Sequence, residues 1–430
     1  MNISNLFRKS SILLLLRGSS LALTLAISLF IANAYGASST GIYYLFISLI
    51  TGLSIISKFG FESSLIKYIS QHDNKKAEAN PIRALWTYAL KVSIFISIML
   101  IIVLMISSMT KLITYIPALD ESIIIYSILC LIPFSLFGVN IAAMRGLENL
   151  ISASFFESLL FPTILIISLI FLYINNINEG ILISYTFTSF VLLIISAFFL
   201  IIKIPKASYT VPINKDDLLG TCKPILGINL LNFISNWGVT FILAIYVSLQ
   251  DIGIYNIAWR IITITSIFTL VLNNINAPTY SKEYKIGNIT KIEQHSRTTC
   301  MLLTIIGLPI IISITLFSNE ILGLFGNDFI EGTLALQILA FGQFITFVTG
   351  SVGYLLMMTG HEKNLRNITF YVSFIQIALY LIFIPKYGIT AAAIITSCAI
   401  ASKNLLAVFS AYKHIGIISL PLPYKWLTIK

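Results

Sequence analysis

The chain has 430 residues, of which 57% are hydrophobic and only 10% charged, and its mean hydropathy is +0.93. Soluble domains carry roughly a quarter charged residues, so a soluble fold is excluded and the function must lie inside a membrane. The net charge of +10 does not point to nucleic acid, because the basic residues are scattered singly between apolar runs and form no stripe or tail.

In chain order, apolar runs of spanning length fall near 12–34, 41–59, 84–106, 122–144, 155–174, 181–202, 225–247, 254–275, 298–318, 334–357, 367–385 and 388–412. They predict an all-α polytopic membrane protein with twelve transmembrane helices, since over such lengths only helices satisfy their own backbone in hydrocarbon. The opening segment, with Arg8, Lys9, an apolar run and Ala32-Asn33-Ala34, imitates a signal peptide. The length of the run favours a retained first span.

Charge then orients the spans, because Lys and Arg of short loops stay on the cytoplasmic side. With the N-terminus inside, the inner segments hold Arg8 and Lys9, Lys67 to Arg83, Lys203 to Lys223, Lys282 to Arg297, Lys363 and Arg366, and Lys413 to Lys430. The outer loops hold only Lys111 and Lys386 and collect acidic residues such as Asp120, Glu121, Glu179 and Asp251. Twelve spans with both termini cytoplasmic satisfy this pattern. Cys130, Cys222, Cys300 and Cys398 lie far apart without metal-ligand spacing, so neither a metal nor another cofactor is expected.

Sliding the halves by 212 positions brings Gly41-Ile42-Tyr43 onto Gly253-Ile254-Tyr255, and 214 positions bring Met144 and Gly146 onto Met358 and Gly360. Two six-helix halves follow, residues 1–205 and 224–430, joined by an inner linker at 206–223. An even number of spans per half makes the copies parallel about an axis along the membrane normal, with a central cavity between the bundles as the expected site.

Several motifs carry a resemblance. Leu16-Arg17-Gly18-Ser19, Gly36 to Gly41 with Ile42-Tyr43-Tyr44-Leu45, Gly60-Phe61-Glu62-Ser63-Ser64-Leu65 and Met144-Arg145-Gly146-Leu147 resemble the polysaccharide transporter (O-antigen flippase) family. So do Gly253 to Arg260 and Pro385-Lys386-Tyr387-Gly388-Ile389, in an order and spacing that cover essentially the whole chain. The resemblance implies a non-enzymatic exporter of two six-helix bundles in a bacterial inner membrane, related to drug/cation antiporters and cell-wall lipid flippases. Its implied substrate is an undecaprenyl-pyrophosphate-linked oligosaccharide, an O-antigen or related surface-polysaccharide repeat. Membrane lipid, a coupling proton or sodium ion, and polysaccharide polymerase machinery are the implied partners.

A pyrophosphate head group crossing roughly 30 Å of hydrocarbon needs a shielded, hydrated and cationic path. Arg17, Arg260 and Lys403 are cations at membrane depth, where insertion costs about 2.5–3.5 kcal/mol and makes a functional reading the default. For Arg17 the bland alternative is snorkelling, and for Arg145, at the inner end of the fourth span, it is ordinary topogenic charge. Asn229, Asn232 and Asn236 form one stripe of the seventh helix, fit either for sugar hydroxyls or for interhelical contacts. Glu157 is the candidate acidic member of a proton relay, or simply a partner for Arg145. Pro133, Pro162 and Pro309 mark bends.

The charges named are mainly positive, which argues against the first alternative, a drug/cation antiporter. The second, a membrane-embedded polysaccharide polymerase or ligase, usually carries a long outer loop or acidic residues in the first one. Here Tyr35 to Thr40 has no acid, and no nucleophile triad, metal cluster or nucleotide-binding glycine loop appears.

Overall fold

The computed structural model describes residues 3–71, 81–110, 116–177, 179–204 and 215–421. Among these there is no strand, and the regular elements are all helical: α1 (Ile3–Lys58), α2 (Phe61–Ser70), α3 (Pro81–Met109), α4 (Glu121–Gly146), α5 (Leu150–Phe155), a π-turn (Phe156–Leu160), α6 (Phe161–Ile174), α7 (Gly180–Lys203) and α8 (Lys215–Tyr246). They continue as α9 (Leu249–Thr265), α10 (Ile267–Ile286), α11 (Ile289–Leu316), α12 (Ser318–Gly323), a 3-10 turn (Asn327–Gly332), α13 (Thr333–Thr349), α14 (Val352–Met358) and α15 (Glu362–Ile415). Ten helical stretches among the described residues are long and apolar enough to cross a membrane. The protein is therefore a multi-pass, all-α membrane protein.

The two longest of the ten exceed one crossing by far. The stretch Leu15–Lys58 holds 44 residues, about 66 Å of continuous helix against ~30 Å of hydrocarbon. It is broken at Gly36, whose φ of 83° and ψ of −179° fall in a region that only glycine populates. The 54 residues of α15 are broken in the same way at Gly388, with φ 55° and ψ −135°. The sequence predicts an outer loop at residues 35–40, but helical hydrogen bonding resumes at once after Gly36, so one residue makes the whole interruption.

Contacts divide the chain into two compact units, Met1–Tyr35 with Ser39–Leu249, and Gly36–Ser38 with Gln250–Lys430. In the first, α4 is central and packs on α2, α3 and α7. Interhelical hydrogen bonds tie α3 to α4, α4 to α7 and α1 to α3: Trp86 Nε1 donates to Asn140 Oδ1 and Asn140 Nδ2 to Ser196 Oγ, both at 2.9 Å, and the Ser57 and Ser97 hydroxyls lie 2.6 Å apart. Each such bond contributes about 0.6 kcal/mol in membrane proteins, so their value lies more in fixing register than in strength. In the second unit α13 packs on α11 and α15, and the Thr396 hydroxyl lies 2.8 Å from Tyr255 Oη and 2.6 Å from Tyr380 Oη.

The unit boundary differs from the repeat-based halves, because α8 is grouped with the first unit. It seats on glycines: a Cβ on Gly60 would come within 2.3 Å of the Cys222 carbonyl oxygen, and one on Gly52 within 2.7 Å of the Phe233 ring. Of the expected linker, 206–214 lies outside the described residues, and 215–223 is the first part of α8. Leu218 and Cys222, one turn apart, are fully buried, which explains why this charged segment is helical.

Candidate functional site

Three helix ends and one irregular turn meet in the first unit. Lys58 is the last residue of α1, Arg145 lies in the last turn of α4, and Glu62 lies in the first turn of α2. Each charge has the sign that its helix terminus favours. Between Lys58 and Glu62 the chain turns sharply through Phe59 and Gly60, both at positive φ (47° and 81°), so residues four apart in sequence belong to different helices. The fourth charge, Glu157, sits in the π-turn. Pro162 accounts for that turn, because it has no N–H to give the carbonyl four residues back and its ring crowds that carbonyl, so the helix widens N-terminal to it.

These charges border one cavity of about 490 Å³, whose wall also includes Phe134, Phe137, Gly138, Phe161 and Tyr185. Lys58 pairs with Glu62, and Arg145 with Glu157. Lys58 is 8% exposed, and an isolated ammonium so placed would be costly, which is the physical reason for its carboxylate partner. Its alkyl chain lies over Gly138, where a Cβ would come within 2.9 Å of Lys58 Cδ. Asn229 of α8 reaches the rim, with Nδ2 3.5 Å from Glu62 Oε2. The aromatic wall is tightly joined: the Phe161 and Tyr185 ring centroids are 5.2 Å apart, and those of Phe134 and Tyr185 5.8 Å.

Of the residues singled out from sequence, the structure brings Arg145, Glu157 and Asn229 to this site. Asn232 and Asn236 are exposed on α8, and Asn236 Nδ2 donates to the Asn232 carbonyl at 2.7 Å. Arg17 is exposed on α1 and does not line the cavity. Arg260, partly buried on α9, and Lys403, exposed on α15, belong to the second unit. Pro133 and Pro309 lie inside α4 and α11. Lys58 and Glu62 escaped the sequence reading as site residues, although Glu62 stands in one of the motifs that carry the resemblance. The signal that marks them is the Phe59-Gly60 interruption, which turns a span end into a corner. The cavity charges are balanced, two against two, rather than mainly positive.

The all-α fold that holds this cavity is shared with solved structures of membrane transporters. The inward-facing form of a multidrug resistance MATE family transporter of the MOP superfamily matches with a TM-score of 0.72, at 15% identity, over 93% of this chain and 94% of that one. The inward closed form of the lipid II flippase MurJ matches with a TM-score of 0.68, at 17% identity, over 93% and 88%. Within that fold the family is narrower: residues 21–332 match the signature described as polysaccharide biosynthesis protein, and the chain belongs to that family. Among curated relatives, the probable low-salt glycan biosynthesis flippase Agl15 of Haloferax volcanii is 27% identical over 175 residues, 40% of this chain. That match spans 36% of the relative's length.

Proposed function

We propose that this protein is a flippase for lipid-linked glycans, and that the cavity of the first unit receives the phosphate end of the head group. The observation that carries the reading is the pairing of Lys58 and Arg145 with carboxylates around one cavity at the ends of apolar helices. Two cations lining one cavity suit a pyrophosphate, with Arg145 offering the planar fork that binds phosphate oxygens bidentately. Phe134, Phe161 and Tyr185 give sugar rings apolar faces to pack on. The membership in a polysaccharide biosynthesis family and the likeness to a curated glycan flippase support the same substrate class. No step breaks or makes a covalent bond in this reading: the protein exposes the cavity alternately to the two sides, and the lipid tail stays in the bilayer.

In the same proposal the chain crosses the membrane twelve times, Gly36 and Gly388 each dividing a long helix into two spans, with both termini cytoplasmic. The two six-helix halves of the sequence repeat remain part of it, with Arg17, Arg260, Lys403, Asn232 and Asn236 as further contacts along the path. The finest form of the reading is an undecaprenyl-pyrophosphate-linked O-antigen repeat in a bacterial inner membrane. Genes for sugar-nucleotide enzymes and glycosyltransferases found beside this one would support it.

The test is translocation of a fluorescent polyprenyl-pyrophosphate-linked glycan in proteoliposomes, read by quenching from outside. Lys58→Ala and Arg145→Ala should each lower the rate by about tenfold or more, the loss of roughly 1.4 kcal/mol of binding in the translocating state. Wild-type rates in both variants at normal abundance would remove the cavity from the path. A drug/cation antiporter remains the second reading, favoured by Glu62 and Glu157, which suit a cationic drug. Efflux of a cationic dye that is lost in Glu62→Gln, with no glycan translocation by the wild type, is the outcome that selects it.

A further inference from the structure

The two ends of α15 meet. Its helix is broken at Gly388, and its N-cap residue, His361, lies against His414 of its last turn: the two ring centroids are 5.5 Å apart, with the planes inclined at 50°. The arms of α15 therefore form a hairpin, with Gly388 at one end and two imidazoles at the other. His361 is placed by a tight stop to α14. Gly360 adopts a φ of 80°, and the N–H groups of Gly360 and His361 donate to the carbonyls of Met357 and Leu356 at 3.4 and 2.8 Å, the bonding pattern of a glycine-terminated helix. Leu355 and Leu356 of α14 pack with Ala407 and Ala411 of α15 in one buried cluster, which holds the two backbones together.

Hydrogen bonding settles which nitrogen of each ring carries the proton. His414 Nδ1 lies 2.9 Å from the Ser410 carbonyl oxygen, which can only accept, so Nδ1 is the donor. His361 Nδ1 lies 3.2 Å from Thr359 Oγ1, and the Thr359 hydroxyl donates to the carbonyls of Leu355 and Leu356, at 2.8 and 3.4 Å. The Thr359 oxygen is therefore the acceptor, and Nδ1 is the donor here too. In a neutral imidazole the lone pair then falls on Nε2 of both rings. A ring whose Nδ1–H is held by an oxygen, with its lone pair on Nε2, is the form in which histidine binds a metal ion.

We propose that His361 and His414 form a site for one transition-metal ion of the zinc, copper(II) or nickel(II) kind, bound through Nε2 of both rings. The site belongs to the second unit, and the inference goes beyond the flippase reading. The observed 5.5 Å lies about half an ångström from the separation of about 5 Å that two imidazole nitrogens at about 2.0–2.1 Å from one tetrahedral ion give their rings. Imidazole selects these ions over magnesium and calcium, which take oxygen ligands. Among the described residues no three or more His, Cys, Asp or Glu side chains gather to hold an ion, so water completes the shell and the ion is exchangeable. The Tyr284 ring, edge-to-face with His361 at 6.3 Å between centroids, limits rotation of that imidazole. A bound ion ties the start of α15 to its end and closes the hairpin opposite Gly388. Cysteine spacing gives no hint of this site, because its ligands are histidines that only the hairpin brings together.

The experiment is calorimetric titration of the full-length protein in lipid nanodiscs, stripped of metal with a chelator and then given zinc chloride, with magnesium chloride as the parallel probe. The wild type should bind one zinc ion per chain more than the His361→Ala/His414→Ala double variant does. Each single variant should weaken this site at least about tenfold, since changes to residues that merely orient a ligand already cost that much. Zinc should also raise the unfolding temperature of the wild type and leave that of the variants unchanged. Equal zinc binding by the wild type and the variants, no saturable zinc binding to the wild type, or magnesium bound as tightly as zinc overturns the proposal. If His361→Ala does not fold, His414→Ala, at an exposed position, carries the comparison with the same overturning results.

Discussion

Gly138 lacks a side chain where Lys58 lies, and the site depends on that lack. A Cβ there would sit 2.9 Å from Lys58 Cδ and 3.2 Å from its Nζ, so Gly138→Val should push the ammonium off Glu62 while the backbone stays helical. Glycan translocation should fall several-fold with unfolding temperature little changed, and an undiminished rate would show that the seat of Lys58 is irrelevant. Arg260 is argued differently, from a permanent charge at membrane depth on α9. If it contacts the head group, Arg260→Ala should lower translocation at normal abundance, and Arg260→Lys should recover part of it by keeping the charge without the planar fork. Parallel loss of abundance and activity in both variants would make it structural. What the sequence reveals at this scale follows depth: Arg145 and Glu157 stand out as charges near a span end, whereas Lys58 reads as one more basic residue at a cytoplasmic boundary. Nothing in the sequence reveals that Gly138 is the surface it rests on, because that contact joins α1 to α4 across 80 positions.

At the scale of elements, the π-turn before Pro162 is the feature with the clearest consequence. Pro162→Ala restores a donor and removes the crowding, so the turn should tighten to a regular helix and carry Glu157 around the axis, away from Arg145. Translocation in Pro162→Ala should approach that of Glu157→Ala, and combining the two should add little, since both remove one contact. Additive losses would show that the turn acts elsewhere. Gly36→Val places a branched side chain at φ 83°, which costs about 1–3 kcal/mol and should lower the unfolding temperature in detergent by several degrees. The existence and length of the helices are legible in the hydropathy pattern, because length alone decides that question in hydrocarbon. Their joints are less so. The loop expected at 35–40 is a one-residue break, and the helix over 215–223 was hidden by Lys215, Asp216, Asp217 and Lys223, which outweigh the buried pair Leu218 and Cys222 in any average.

For the molecule as a whole, the twelve-span reading with inner termini puts the exposed end of α10 in the cytoplasm. A cysteine at position 285, in a variant otherwise lacking reactive thiols, should resist a membrane-impermeant maleimide added outside and react once the membrane is opened. Labelling from outside would overturn the topology. The two compact units part at Leu249 and Gln250, so the packing divides the chain at a different place from the repeat expected from the sequence. The difference is α8, which starts the second expected half yet rests on Gly52 and Gly60 of the first unit. The balanced cavity has one more consequence, for energetics under voltage. A membrane potential acts with about 2.3 kcal/mol per elementary charge per 100 mV, but the Lys58 ammonium and Arg145 guanidinium, matched by two carboxylates, present it with no net charge to move. In the flippase reading the return of the unloaded cavity is then electrically silent, and voltage acts there only through what the cavity carries.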